Sequence, residues 1–254
     1  MQSNESTIST PAKIKNFFLD LVFPPVCLGC NSLIDSNQYQ NRNYRPGMCD
    51  KCRSTIVLQS SFACAFCQAG VVNGITCPFC RRDHELRQLL VATSYEQPLV
   101  KSAIKNFKYK FMQGLANDLG SVMSTYLQKQ IERGVINLNN VVVVPVPLSA
   151  QRLRWRGFNQ AELLAKHLAE TFNLELVPAL ERTRNHKSQV EIVNRQDRIN
   201  NMSDGFVCTS ALVADRDILL IDDISTTGAT LEACAQALKK SGASKITGFV
   251  FARN

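Results

Sequence analysis

The residues best suited to chemistry lie in Ile218–Leu231, ILLIDDISTTGATL. Two carboxylates, Asp222 and Asp223, follow the apolar run Ile218–Ile221. Then come Ser225, Thr226, Thr227, Gly228, Ala229 and Thr230. The apolar run has the length and branching of a buried parallel strand. Leu231, Cys234, Ala235 and Leu238 recur at helical spacing, with Gly242 just past the predicted helix end. Strand, hydroxyl-rich loop and helix together make a phosphate site. Unpaired N–H groups at the helix start sit at the positive end of its dipole, where an anion fits. Gly228 allows close approach of the backbone, and the threonine hydroxyls add donors. The two acids repel phosphate and suit sugar hydroxyls, directly or through a magnesium ion. A ribose 5-phosphate satisfies both halves. An ordinary strand end with a capped helix leaves two adjacent acids beside an anion site unexplained.

A second group of chemistry-bearing residues is sulfur. Eight of the ten cysteines form four C-x2-C pairs: Cys27/Cys30, Cys49/Cys52, Cys64/Cys67 and Cys77/Cys80. Two such turns supply the four thiolates of a tetrahedral zinc site. Four intact pairs favour two structural zinc sites over one site and a degenerate copy. Sequential pairing is the simpler arrangement, and a cross-braced one stays open. An all-thiolate site has no free coordination position, so structure or docking is expected rather than catalysis. Little apolar material lies between the pairs, so metal is expected to supply most of the folding free energy, on the order of 10 kcal/mol per site. Cys208 and Cys234 stand apart as packing residues.

Several elements are needed to position these groups. Val141–Val144 reads as a central strand, followed by the rigid turn Pro145–Ser149 at its carboxyl end, the edge where ligands bind in open α/β sheets. Arg152, Arg154 and Arg156 follow at alternate positions beside that edge and suit a pyrophosphate or a DNA backbone; the alternative is a solvated charge run. Further strands are expected at Leu89–Tyr95, Leu174–Val177 and Lys245–Ala252, with a short one after Phe206. Helices are expected at Lys13–Phe23, Gln97–Phe107, Gln113–Ile131 and Gln160–Phe172. Lys105–Lys110, KNFKYK, interleaves cations with aromatics, which suits single-stranded nucleic acid as well as a plain helix end. Glu181–Asn201 is long and polar. It reads as a mobile cover over the phosphates, with Lys187 and Arg198 as further pyrophosphate or DNA contacts. His186 there reads as a polar loop residue, and His84 and His167 lack a motif.

Composition sets the frame. With 254 residues, 45% hydrophobic and a net charge of +8, the chain suits a soluble protein with anionic partners. Met1–Pro11 is polar and expected to be disordered. Neither a signal peptide nor a membrane span is predicted, so a cytoplasmic location is expected, which favours zinc over disulfides. Three parts follow: residues 1–24, a tail and short helix; 25–84, the zinc module; and 85–254, the sugar-phosphate domain.

Asp222-Asp223 with S-T-T-G-A-T resembles the signature of type I phosphoribosyltransferases, which bind phosphoribosyl pyrophosphate (PRPP). It is distinct from the lysine-bearing P-loop. The chain as a whole resembles the competence protein ComF family. The resemblance rests on Phe23–Cys30 (F-P-P-x-C-x-x-C), the further C-x2-C pairs, V-P-V-P-L with R-x-R-G-F-N-Q within Val144–Gln160, Gln189, Arg198, Asn201 and Phe206, and the acid-and-threonine loop. It implies an α/β, type I phosphoribosyltransferase fold, a mostly parallel five-stranded sheet flanked by helices, behind an N-terminal four-cysteine zinc module. It also implies a role in natural transformation. Partners would be single-stranded DNA, competence import proteins and helicase-like proteins, near the inner face of the membrane. Asp222 and Asp223, the catalytic candidates, would hold the ribose hydroxyls with magnesium, and Ser225–Thr230 the 5-phosphate of PRPP. Three functions are consistent with this: a PRPP-binding protein in DNA uptake, an active phosphoribosyltransferase with an unknown acceptor, and a zinc adaptor with a vestigial pocket.

Overall fold

The computed structural model describes residues 24–34, 47–109, 112, 114–183 and 205–254. The expected tail, the helix Lys13–Phe23 and most of Glu181–Asn201, with Lys187 and Arg198, lie outside these residues.

Among the described residues, the strands are β1 (Gln88–Ser94), β2 (Val141–Pro145), β3 (Glu175–Leu176), β4 (Leu180–Arg182), β5 (Phe206–Cys208), β6 (Asp217–Ser225) and β7 (Ile246–Arg253). The α-helices are α1 (Asp50–Ser54), α2 (Pro98–Tyr109), α3 (Leu115–Glu132), α4 (Ala150–Arg156), α5 (Gln160–Phe172) and α6 (Ala229–Lys240). Five strands form one sheet in the order β1-β7-β6-β2-β3, and every pair is parallel. A parallel sheet must be covered on both sides, and successive side chains point to opposite faces. Val141, Val143, Leu219, Ile221 and Phe249 therefore join one core with Leu119, Met123 and Leu127 of α3 and Leu164 and Leu168 of α5. Val142, Val144, Ile218, Leu220 and Val250 join a second core with Leu231, Cys234, Ala235 and Leu238 of α6. The expected three-layer α/β fold is the one found.

The topology fixes where a ligand can enter. From β2 the chain crosses through α5 outward to β3; from β6 it crosses through α6 in the opposite direction, to β7. The carboxyl ends of β2 and β6 are neighbours from which the chain departs both ways, the switch point at which open α/β sheets bind ligands. The antiparallel pair β4–β5 stands apart from the sheet and packs on α6. It gives Leu180–Arg182 strand geometry where an irregular segment is expected from the sequence.

The cysteine-rich region is joined to the sheet rather than appended to it. It bridges to the β1 edge through Leu58–Thr93 and Ile75–Gln88. Gln59 N–H donates to Ala92 C=O at 2.9 Å, and Leu89 N–H to Gly74 C=O at 2.9 Å. An exposed edge strand invites pairing with another chain, and this region covers it. Cys27, Ile34, Met48 and Ile56 are buried members of the first core, so sparse apolar residues suffice because they share a larger interior. Among the described residues no helix is long and apolar enough to cross a membrane.

Candidate functional site

Strand β6 runs further than its apolar core. It continues through the acids to Ser225, the turn is Thr226–Gly228, and α6 begins at Ala229. Ala229 and Thr230 are thus first-turn helical residues rather than loop. Pairing of Asp222 with Val250 and of Ser225 with Arg253 holds this polar end in the sheet. Because neighbours on a strand face opposite ways, the acid pair divides. Asp223, 5% exposed, forms an ion pair with Lys108 Nζ of α2 at 2.9 Å. Asp222 lines the small cleft of about 50 Å³ formed with Ser225–Leu231.

The turn is shaped for an anion. Gly228 caps α6 with φ 78°, in the left-handed region, and no side chain caps the helix. The Ser225 hydroxyl is buried without a hydrogen-bond partner among the described residues. Only Thr227 Oγ1 reaches back locally, accepting from Ala229 N–H at 3.4 Å.

A wider cleft of about 160 Å³ lies beside it, lined by Asp222, Asp223, Lys108, Arg152, Arg156 and Gln160 among others. Arg182 of β4 and Thr230 also line it, and the two clefts share Asp222, Ile224 and Thr230. The R-G-F-N-Q segment builds its wall. Ser149 Oγ accepts from Arg152 N–H and starts α4; Gly157, φ 75°, ends it. Phe158 is buried and packs near Phe107, with ring centroids 5.8 Å apart. Asn159 caps α5 and donates from Nδ2 to Val146 C=O at 3.0 Å, tying the wall to the end of β2. Gln160 Oε1 accepts from Arg156 Nη1 at 3.0 Å. That leaves Arg156 Nε and Gln160 Nε2 buried with no partner among the described residues, on side chains 7% and 1% exposed. Unmet buried donors on residues lining a cleft are what an anionic ligand would satisfy.

The three arginines do not act alike. Helix α4 places Arg152 and Arg156 four residues apart on one face, toward the cleft, while Arg154 is exposed and does not line it. The expectation of alternate positions treats as extended a segment that is helical. Lys108 is the residue that sequence reasoning misses here. It appears among a run of cations, and only the fold carries it to Asp223. The Asp222 carboxyl is pushed up to about 7, first by burial and then by the charge of Asp223; its own bond from Asp223 N–H opposes this. Negative charge on Asp222 is therefore disfavoured, and a cation or sugar hydroxyls would relieve it. Asp223 is ion-paired internally, yet the cleft above both acids is open. A larger cleft, about 240 Å³, lies at the ends of β1 and β7 and is lined by neither acid.

Tyr109 and Trp155, each 55% exposed, meet edge to face at 5.7 Å on the rim. The Arg156 guanidinium lies 5.6 Å from the Tyr109 ring and 5.9 Å from that of Trp155.

The cysteines gather into two sets, Cys27/Cys30/Cys49/Cys52 and Cys64/Cys67/Cys77/Cys80, with ligand atoms within 4.8 Å in each. The pairing is sequential. Zn–S bonds of about 2.3 Å at tetrahedral angles put sulfurs about 3.8 Å apart. Cys27–Cys49 and Cys30–Cys49 lie at 3.6 and 3.9 Å, and Cys67–Cys77 at 3.6 Å. These separations fit zinc and far exceed a disulfide bond. Hydrogen bonds from Ser32 lower the Cys30 thiol to about 6. Burial opposes ionisation of Cys64, but N–H groups of Phe66, Cys67 and Cys77 bring it to about 6. Both sets can hold zinc, and no residue beyond the thiolates is needed. Cys234 is buried in the second core, and Cys208 packs against it. His84 stacks on Phe66, and His167 lies 3.4 Å from Asn117 between α5 and α3.

Comparison with known proteins agrees with this geometry. Residues 122–254 match the phosphoribosyl transferase domain, a span that leaves out β1 and α2 although β1 is part of the sheet. Competence protein ComFC of Bacillus subtilis (strain 168) is 28% identical over 218 residues, 82% of this chain and 84% of the relative. Competence protein F of Haemophilus influenzae is 22% identical over 222 residues, 81% and 96% of the two chains. DNA utilization protein YhgH of Escherichia coli (strain K12) is 26% identical over 220 residues, 79% and 94%. The sheet, the acid-and-threonine corner, the paired cysteine clusters and these relatives make the chain a member of the phosphoribosyl transferase domain family, in its ComF branch.

Proposed function

We propose that the chain binds PRPP with magnesium at the meeting of β6 and α6, and that it serves competence by handling single-stranded DNA at the cytoplasmic side. One observation carries the first part. Asp222 and Thr230 line both the cleft of the anion-shaped turn and the neighbouring cleft, which Arg156 and Gln160 line with donors that have no partner among the described residues. The turn suits the 5-phosphate, and Asp222 and Asp223 suit the ribose hydroxyls and magnesium. Arg152, Arg156 and Lys108 suit the pyrophosphate. Magnesium there would neutralise charge on the phosphates. The second part rests on the competence names of the relatives and on the Tyr109–Trp155 rim. Exposed aromatics flanked by Lys105, Arg152 and Arg154 suit base stacking and phosphate contact. Import and helicase-like proteins are the partners this reading implies.

A thermal-shift series tests the pocket. PRPP with magnesium should raise the melting temperature, and Asp222→Ala or Asp223→Ala should abolish the rise. A rise that survives both changes removes the acids from the site. Gel shifts with a labelled oligonucleotide over a salt series test the rim, where Trp155→Ala should weaken binding. A second reading is transfer of ribose 5-phosphate to an acceptor, and Arg182 of β4 lines the cleft in either reading. Pyrophosphate release on adding candidate acceptors is its readout.

A further inference from the structure

The second cysteine cluster touches the turn at Gly228. An added Cβ at Gly228 would stand 3.1 Å from Ala65 C=O and 3.5 Å from the Phe66 ring. Ala65 and Phe66 are the two residues between Cys64 and Cys67. The same knuckle is gripped from the sheet: Arg253 donates from Nη1 to Cys64 C=O at 3.0 Å and from Nη2 to Ala65 C=O at 2.6 Å. Arg253 ends β7 and pairs with Ser225, where the turn begins. The other half of the cluster reaches the first turn of α6. Just beyond Cys80, Glu85 and Leu86 N–H groups donate to the Glu232 carboxylate at 2.9 and 3.0 Å. Phe66 and His84 stack at 3.6 Å and close the two legs on each other.

We infer that the second four-cysteine cluster is the outer support of the phosphate turn: its metal holds together two chain segments that clamp Gly228 and Glu232. Residues Arg253, Phe66 and Glu232 are positioning residues in this scheme. None of the three lines either of the clefts at Asp222. The need for them follows from the turn itself. Its capping glycine is left-handed, and among the described residues the helix has no side-chain cap and the Ser225 hydroxyl no partner. A turn with so few bonds of its own takes its shape from what leans on it. An open, uncapped N–H cradle is useful to a ligand only if it is held in advance.

The consequence for binding rests on the PRPP reading; the consequence for the turn does not. The test uses the full chain loaded with zinc. Arg253→Gln should keep two zinc equivalents, as measured by metal release to a chromogenic chelator. Hydrogen exchange in the peptide spanning 225–232 should speed at least tenfold, and the dissociation constant for ribose 5-phosphate should rise about tenfold. The matching change at the first cluster, Arg53→Gln, should leave exchange in that peptide as in the parent. Unchanged exchange in Arg253→Gln with both metals kept overturns the inference, as does equal acceleration by Arg53→Gln. If the parent chain ignores ribose 5-phosphate, the functional reading fails while the exchange result still decides this one. Should Arg253→Gln not fold, Phe66→Ala, which removes a contact to the turn and no metal ligand, is read by the same two outcomes.

Discussion

The two cysteine clusters are built alike and docked differently. In each, a knuckle closes on itself: Cys27 N–H donates to Ser32 C=O and Cys64 N–H to Ala69 C=O, both at 2.8 Å. Each knuckle ends in a left-handed residue, Asn31 at φ 57° and Gln68 at φ 62°. Each second pair makes a short turn, with Arg53 N–H on Cys49 C=O and Arg81 N–H on Cys77 C=O. Beyond this likeness they diverge. The first cluster leans on α3. Asp118, fully buried, accepts from Gly47 N–H at 2.7 Å and Met48 N–H at 3.0 Å, and pairs with Arg53 at 3.4 Å. The second leans on the phosphate turn and on Glu232. One four-cysteine unit thus occurs twice, once against the core and once against the turn before α6. What a zinc cluster does depends on the surface it meets, since its own coordination sphere is closed.

The largest expected effect sharpens this contrast. Asp118→Ala strands two buried N–H groups and Arg53, so it should cost about 3–5 kcal/mol of stability. Chemical denaturation checks it, and ligand affinity in the surviving folded fraction should stay near that of the parent. Glu232→Ala, the counterpart at the second cluster, should cost less, about 2 kcal/mol, yet weaken sugar-phosphate binding measurably. Equal behaviour of the two variants in both measurements breaks the comparison.

A smaller effect comes from Asp222. Its folded carboxyl titrates at about 7 against 3.8 in the unfolded chain. Between those values the folded state keeps a proton that the unfolded state releases, so this group lowers stability as pH rises through that window. Asp222→Asn should therefore melt a few degrees above the parent at pH 8, and the gap should close near pH 4. Calorimetry at the two pH values decides it; a gap that widens toward pH 4 reverses the assignment. Smallest of all, Arg154→Ala should leave sugar-phosphate affinity within about twofold, while Arg156→Ala, which removes a donor with an unmet N–H, should reduce it strongly.

Much of this was legible in the chain. Val141–Val144 declared a central strand by four β-branched residues in a row, and the C-x2-C spacing declared the two four-cysteine sets. The acid pair and S-T-T-G-A-T declared the corner. What the sequence concealed was set by three-dimensional approach. Helix α4 hid because Ala150–Arg156 is short and carries an exposed Trp155, although Ser149 and Gly157 bracket it as caps. Strand β6 was cut short because Asp222 and Asp223 interrupt its apolar pattern, yet the pairing with β7 carries them along. Lys108, Glu232 and Arg253 have no motif. Each acts on a partner far away in sequence, at Asp223, Glu85 and Cys64 respectively.

The central claim is that a sugar phosphate lodges where the acidic end of β6 meets the start of α6. Titration calorimetry of PRPP with magnesium tests it most directly. One ligand per chain should bind, with the heat lost in Asp222→Ala and kept in Arg154→Ala. Absence of any heat from the zinc-loaded parent, or full heat from Asp222→Ala, would contradict it.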